Sequence, residues 1–285
     1  MLQNSFLHVP SIGAKTEQRI WESGISCLND FLEEPPDFLS KSKVDLICHH
    51  IGISNKKIAS VEPAYFCSSF ASGDHWRIFK EFRDTTAYID IETTGLGGPG
   101  DIITTIALYD GERIFHYVNG TNLHDFVHDI QQYKVIVSYN GKTFDVPFIE
   151  RYFGISIPHA HLDLRFILHS LGLSGGLKSC EQQLGIGRTG PMADVDGFFA
   201  ILLWREYKRK NDLKALETLL SYNIQDAVNL EYIMVWAYNR KLSGIPLTLN
   251  MLEPCRLPDN PFSIDAATVN RIKQYNSGFH RGWSR

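Results

Sequence analysis

Tyr88-Ile89-Asp90-Ile91-Glu92 decides the fold of this chain. Its β-branched residues and its alternation read as a strand. Strand side chains return to one face every second residue, so Asp90 and Glu92 point the same way. The flanking Ala87, Ile89 and Ile91 mark the strand as buried, where an unpaired charge is expensive. A matching pair lies far downstream in Tyr222-Asn223-Ile224-Gln225-Asp226. Tyr222 and Asp226 are four apart in an apolar-periodic helical run and therefore share a face. Crowded carboxylates repel and raise one another's pKa. A cation resolves that conflict, and hard oxygen ligands favour Mg²⁺ or Mn²⁺ over zinc.

Working outward, residues 84–118 read as three strands. Gly95 through Gly100 breaks the first. Ile102 to Tyr109 forms the second, and an Asp110-Gly111 hairpin turn leads to Arg113–Val118. A helix near 123–132 leads to a fourth strand, Lys134–Ser138. An Asn140-Gly141 turn follows, and then a helix opening at Asp145 with Pro147 in its first turn. Asp145 reads as a helix N-cap or as a further metal ligand, roles that one carboxylate can combine. Ala160–Asp163 reads as a fifth strand, and the chain beyond it as mostly helical, over about 177–184, 195–210 and 212–237.

At these residues the chain resembles the DEDD 3′–5′ exonucleases of the ribonuclease-H-like superfamily. Asp90-Ile91-Glu92-Thr93-Thr94-Gly95-Leu96 looks like their first motif, and Asn140 through Asp145 with Val146-Pro147-Phe148 like their second. Tyr222-x-x-x-Asp226 looks like the third motif of the tyrosine subclass, and Gly175–Gly185 resembles a segment of the YprB-like branch. The likeness covers roughly residues 84–236. It implies an α/β fold, a ribonuclease-H-like mixed β-sheet flanked by helices.

The resemblance also implies catalysis by Asp90, Glu92, Asp145, Tyr222 and Asp226. The four acids would hold two Mg²⁺ or Mn²⁺ ions, Asp145 directly or through water, clamping an in-line displacement at phosphorus from about 4 Å apart. A phenol titrates near about 10, so Tyr222 is assigned to orienting the attacking water. Thr93 and Leu96 would lie against the terminal nucleotide, Asn140 would fix the second-motif loop, and Lys178 would contact phosphate. The implied reaction releases nucleoside 5′-monophosphates from a nucleic-acid 3′ end, with DNA favoured. Two alternatives stay open, a structure-selective endonuclease on the same scaffold and a non-catalytic nucleic-acid-binding module.

Composition is that of an ordinary globular protein: 285 residues, 44% hydrophobic, 21% charged, net charge −4. That charge excludes a broadly basic coat but not a phosphodiester substrate. No run is long enough to span a membrane, no signal peptide is evident, and the five scattered cysteines fit reduced thiols. The expectation is a cytoplasmic enzyme with no disulfide partner.

Three parts are expected: a helical region over 1–83, the exonuclease domain over 84–240, and a loop-rich segment over 241–285. Val9–Glu17 is similar to half of a helix-hairpin-helix element, but Ser11 replaces the first hairpin glycine and too little chain precedes it. Arg271, Lys273, His280, Arg281 and Arg285, interleaved with Tyr275, Phe279 and Trp283, suit a single strand or else a terminus packed on the body. His124 and His128 read as a solvated helix face, Cys48-His49-His50 as bland, and Asp163, Asp194 and Asp196 as helix caps, with Asp163, which follows a candidate strand, also open as a support behind the metal ligands; Lys178 and Arg188 read as phosphate contacts or as solvated surface cations.

Overall fold

A computed structural model describes residues 1–187, 190 and 196–280. Five short helices come first: α1 (Ala14–Glu22), α2 (Leu28–Glu33), α3 (Lys41–Ala59), α4 (Pro63–Ser69) and α5 (Phe79–Phe82). The sheet follows as β1 (Thr86–Thr93), β2 (Ile103–Tyr109) and β3 (Ile114–Val118), then α6 (Asp125–Asp129), β4 (Val135–Ser138), α7 (Asp145–Phe153) and β5 (Ala160–Asp163). The rest is helical: α8 (Leu164–His169), α9 (Leu177–Gln183), α10 (Gly197–Lys210), α11 (Leu213–Leu242) and α12 (Ala266–His280).

The strand order is β3-β2-β1-β4-β5. β1 runs antiparallel to β2 and parallel to β4, and β4 runs parallel to β5. The fold is the mixed α/β sheet flanked by helices that the alternation requires. Ala87, Ile89 and Ile91 bury one face of β1 against Phe126, Ile130, Phe148 and Ile149. Tyr88, on the opposite face with Asp90 and Glu92, packs in the cluster that holds Ile224, Ala227 and Val228 of α11. The same cluster takes in Phe6, Ile20 and Phe31 of the N-terminal helices. A fully buried side chain such as Ile224 would cost about 2–5 kcal/mol to truncate to alanine.

β4 pairs with β1 only along Thr86–Tyr88. Beyond Tyr88 the pairing stops as β4 ends at Ser138, so the carboxyl end of β1, which carries Asp90 and Glu92, runs on without β4 beside it, at the side where open α/β sheets take ligands. A register shift between Glu92 and Thr93 turns the end of β1.

The N-terminal hairpin lacks its first helix, having only a 3₁₀ turn at Leu2–Asn4. Ser11 takes φ +67°, the left-handed conformation that glycine would adopt freely. The Phe6 and Leu7 N–H groups donate inward to Glu17, a buried acid paired with Arg77.

Two boundaries differ from the sequence reading. α11 runs five residues past 237, and residues 266–280, read as loop, form α12. Asp265 caps α12 by accepting from the Thr268 N–H at 2.7 Å. Val269 and Ile272 bury it against α10 and α11, and Arg271 pairs with Glu206 and Asp212. Asp163 and Asp196 accept backbone N–H groups as expected of caps, whereas Asp145 is the first residue of α7, with Phe144 at the N-cap position. Arg188, Asp194, Arg281, Trp283 and Arg285 lie outside the described residues, as do the side chains of Phe279 and His280. All five cysteines are free thiols, and no described helix is long and apolar enough to cross a membrane.

Candidate metal centre

The period-two geometry of β1 presents Asp90 and Glu92 to α11, and the helical period of α11 presents Tyr222 and Asp226 to β1. One carboxylate oxygen from each of Asp90, Glu92 and Asp226 lies within 4.8 Å of the others. Among the described residues this is the one acid, thiol or imidazole group close enough to hold an ion; His124 and His128 have no part in it. Glu92 and Asp226 are buried, and Asp90 is half-buried. Three hard oxygen donors crowded with little water are a repulsive arrangement that a divalent cation would offset.

Asp145 stands outside that triad yet feels it. Burial, and then the nearby charge of Asp90, hold its carboxyl well above the usual carboxylate range. The Ile91 N–H points toward it and pulls the other way. Its loop is shaped by close contact: a Cβ added at Gly141 would sit 2.1 Å from Ser138 Oγ, so only glycine fits without rebuilding the turn. Asn140 follows β4 with φ +64°. Asp163 Oδ1 accepts the Asn140 N–H at 2.8 Å, and its Oδ2 accepts the Lys142 N–H at 3.0 Å. The acid that caps α8 therefore also pins the second-motif loop, a role the sequence offered only through its position after a strand.

Asn223 lies within the third motif, and the structure gives it a task. It is fully buried, and its Nδ2 donates at 2.6 Å to Asp90 Oδ2 and at 3.1 Å to the Asp90 carbonyl. The amide orientation is forced, because the flipped form would set oxygen against carboxylate. A polar residue amid Leu219, Leu220, Ile224 and Val228 was the available signal.

The remaining sequence candidates surround this core. Tyr222 is buried, and Lys178 Nζ lies 5.3 Å from its ring centroid. α9 is docked so that Lys178 reaches it: buried Glu181, one turn on, accepts at 2.7 Å from Asn229 of α11. Thr93 Oγ1 donates to the Gly95 carbonyl at 2.6 Å and turns the chain after β1. Leu96 is 93% exposed on that turn, which Asp101 braces by accepting the Gly97 and Gly98 N–H groups. Asn140 Oδ1 accepts from Thr143 and Arg165, so its side chain is spent within the loop. The structure thus gathers Asp90, Glu92 and Asp226, sets Asp145 near Asp90, buries Tyr222 one helical turn before Asp226, and leaves Leu96 standing in solvent.

A family model described as the RNase_H superfamily matches residues 87–238. No curated protein matches the chain. Among solved structures, the family B DNA polymerase of the hyperthermophilic archaeon Pyrobaculum calidifontis is 18% identical with a TM-score of 0.41, the match covering 55% of this chain but 24% of the polymerase. Brucella melitensis NrnC with bound Mg²⁺ is 15% identical with a TM-score of 0.38, covering 73% of this chain and 90% of NrnC. A second NrnC structure gives the same identity and TM-score, covering 91% of NrnC.

Proposed function

The chain belongs to the RNase_H superfamily, and from that premise we propose that it is a metal-dependent 3′–5′ exonuclease of the DEDD tyrosine subclass, in its YprB-like branch, acting on nucleic acid with DNA favoured. The observation that carries the reading is the convergence of the Asp90, Glu92 and Asp226 oxygens at one point, with a buried tyrosine one helical turn before Asp226. Residues 84–240 then form the catalytic region, flanked by 1–83 and 241–285.

Asp90, Glu92 and Asp226 supply hard oxygens for two Mg²⁺ or Mn²⁺ ions. When bound, the ions supply Lewis acidity toward the phosphoryl oxygens and a lowered pKa for water. Asp90 holds one ligand orientation because Asn223 clamps its carboxylate. Asp145, buried and raised toward its neutral form, contributes through water from beside Asp90. The Tyr222 hydroxyl orients the attacking water in line with the scissile bond. Lys178, at the Tyr222 ring, meets a phosphate. Thr93 and Leu96 border the terminal nucleotide: the exposed Leu96 offers a base an apolar contact. Asn140 keeps the second-motif loop in register through Asp163.

The test is incubation with 5′-labelled and 3′-labelled DNA and RNA oligonucleotides in Mg²⁺, Mn²⁺ or EDTA. We expect a ladder shortening from the 3′ end, nucleoside 5′-monophosphate as product, and no reaction in EDTA. Cleavage of circular or end-blocked strands would replace the exonuclease by an endonuclease. Absence of any product with every substrate and cation would overturn the enzymatic reading.

A further inference from the structure

α10 and α12 meet along a groove that also takes in Thr94, just past the end of β1. The cavity there is about 760 Å³ and is lined by Thr94, Trp204, Arg205, Lys208, Arg209 and Tyr275 among others. Thr94 is the second residue after Glu92, so one end of the groove reaches the chain that leaves β1 just beyond the triad's Glu92. Arg205, Lys208 and Arg209 are exposed and fall at i, i+3 and i+4 of α10, one stripe of neighbouring charge. The acid that also lines the cavity, Glu206, is buried and offset: Lys210 sits at 2.8 Å, Arg209 at 3.4 Å and Arg271 at 3.6 Å from its oxygens. The wall is therefore basic despite the net charge of −4 for the whole chain.

The opposite wall carries an aromatic. Tyr275 is 63% exposed on α12, with Lys210 Nζ 5.4 Å from its ring centroid. Lys208 Nζ lies 5.5 Å from the Trp204 ring. Cations following a backbone beside an exposed ring suit a polymer whose bases are unstacked and free to lie on that ring. A duplex, its bases already stacked inside, offers the ring nothing.

We propose that this groove is the track for the single-stranded portion of the substrate, upstream of the 3′ end held at Asp90, Glu92 and Asp226. The proposal rests on the nuclease reading. Arg205 and Lys208 neutralise successive phosphates, Tyr275 stacks a base, and Thr94 marks the passage to the reacting end. Docking of α12 by Val269, Ile272 and the Arg271 ion pairs builds the second wall.

The experiment compares the parent with Arg205→Ala/Lys208→Ala, with Tyr275→Ala, and with the charge-keeping Arg205→Lys/Lys208→Arg. Binding of a labelled single strand of about 12 nucleotides, within the span such grooves occupy, is followed by anisotropy in EDTA over a salt series. The double alanine variant is expected to weaken binding about tenfold at low salt and to flatten the log–log salt slope by about 1.4, the value for two lost single-strand phosphate contacts. Tyr275→Ala is expected to weaken it about tenfold through lost stacking, without changing the slope. The charge-keeping pair restores parent binding. In turnover, KM for the long strand rises in both alanine variants while kcat holds, and the preference for the long strand over a dinucleotide shrinks about tenfold. Parent-like affinity, slope and length preference in both alanine variants, with native circular dichroism, would overturn the groove assignment and leave the exonuclease standing. A parent protein that releases no nucleotide but binds the strand, with binding lost in the variants, would fell the exonuclease and keep the groove.

Discussion

Asn223→Ala isolates what holds Asp90 in place. The substitution removes an amide donor from Asp90 Oδ2 at 2.6 Å and from the Asp90 carbonyl at 3.1 Å. A hydrogen bond to a charged group contributes about 1.5–3 kcal/mol and a neutral one about 0.5–1.5. Asp90 is half-buried, so water recovers part of the loss, and the net cost is about 2–3 kcal/mol. For a chain of this size that lowers Tm by roughly 4–10 °C. Freed from its clamp, Asp90 samples rotamers that face away from Glu92 and Asp226, and the Mg²⁺ midpoint of activity rises about tenfold to a hundredfold. Asn223→Asp goes further. It sets a carboxyl against Asp90 Oδ2, and two carboxylates that close retain a proton between them. Metal binding must expel that proton, so this variant is weaker than alanine at neutral pH and recovers as pH rises. The assay is the initial rate against Mg²⁺ concentration at several pH values, with melting followed in parallel. An Asn223→Ala protein with its Mg²⁺ midpoint within about twofold of the parent's, against the tenfold expected of an outer partner, refutes the clamp.

Further expectations follow from the same coordinates. Tyr222→Phe should lower kcat by about tenfold or more while the Mg²⁺ midpoint holds; an unchanged kcat removes the hydroxyl from the mechanism. Mg²⁺ at about a hundredfold over its Kd should stabilise the parent by about 2.7 kcal/mol, and Asp226→Asn should abolish that gain. Equal Mg²⁺ stabilisation of both would place the ion elsewhere. Glu17→Ala leaves the buried Arg77 guanidinium only the longer contact to Asp74 at 3.7 Å and the Ser5 hydroxyl, and should cost about 3 kcal/mol in urea unfolding, an idea that a loss below about 1 kcal/mol would sink. His8 and His161 are held neutral by burial, at about 4 and about 3 respectively. With folded values below the unfolded one, their stabilisation is full above about pH 6.5 and lost as pH falls. At pH 5 each costs roughly 2 kcal/mol, so urea unfolding at pH 7 and pH 5 should differ by about 4 kcal/mol from this pair. A flat profile contradicts it.

The strands were legible because each carries its own boundary markers. Asp110-Gly111 closes a hairpin, Asn140-Gly141 ends β4, and alternation on β1 assigns Asp90 and Glu92 to a face before any contact is known. α12 was not legible because what makes it a helix is remote. Val269 and Ile272 alone are too few for a periodic signal, and the prolines just before 266 read as loop. Its anchors are Glu206 and Asp212, some sixty residues away in sequence. The same distance hid Asn223. Its identity says only that a polar group sits in an apolar helix, and its role needs the Asp90 carboxylate 133 positions earlier. Asp145 shows the converse: a carboxylate at a helix start has a strong local explanation as a cap, and its place beside Asp90 depends on a contact that no local pattern announces.

The end of the β1–β4 ladder decides where Asp145 can sit relative to Asp90. β1 and β4 share a ladder only to Tyr88, so the strand edge beyond carries backbone groups that no neighbouring strand uses on that side. The loop leaving β4 crosses this gap and brings Asp145 to the Ile91 N–H. A ladder continued past Tyr88 would place another strand where that loop crosses and take the Ile91 N–H away from Asp145. The end of the β1–β4 ladder therefore makes room for Asp145 beside a triad that β1 and α11 supply. Its cost in sheet pairing is confined to the few residues whose polar groups the loop and the Asn223 amide take up instead.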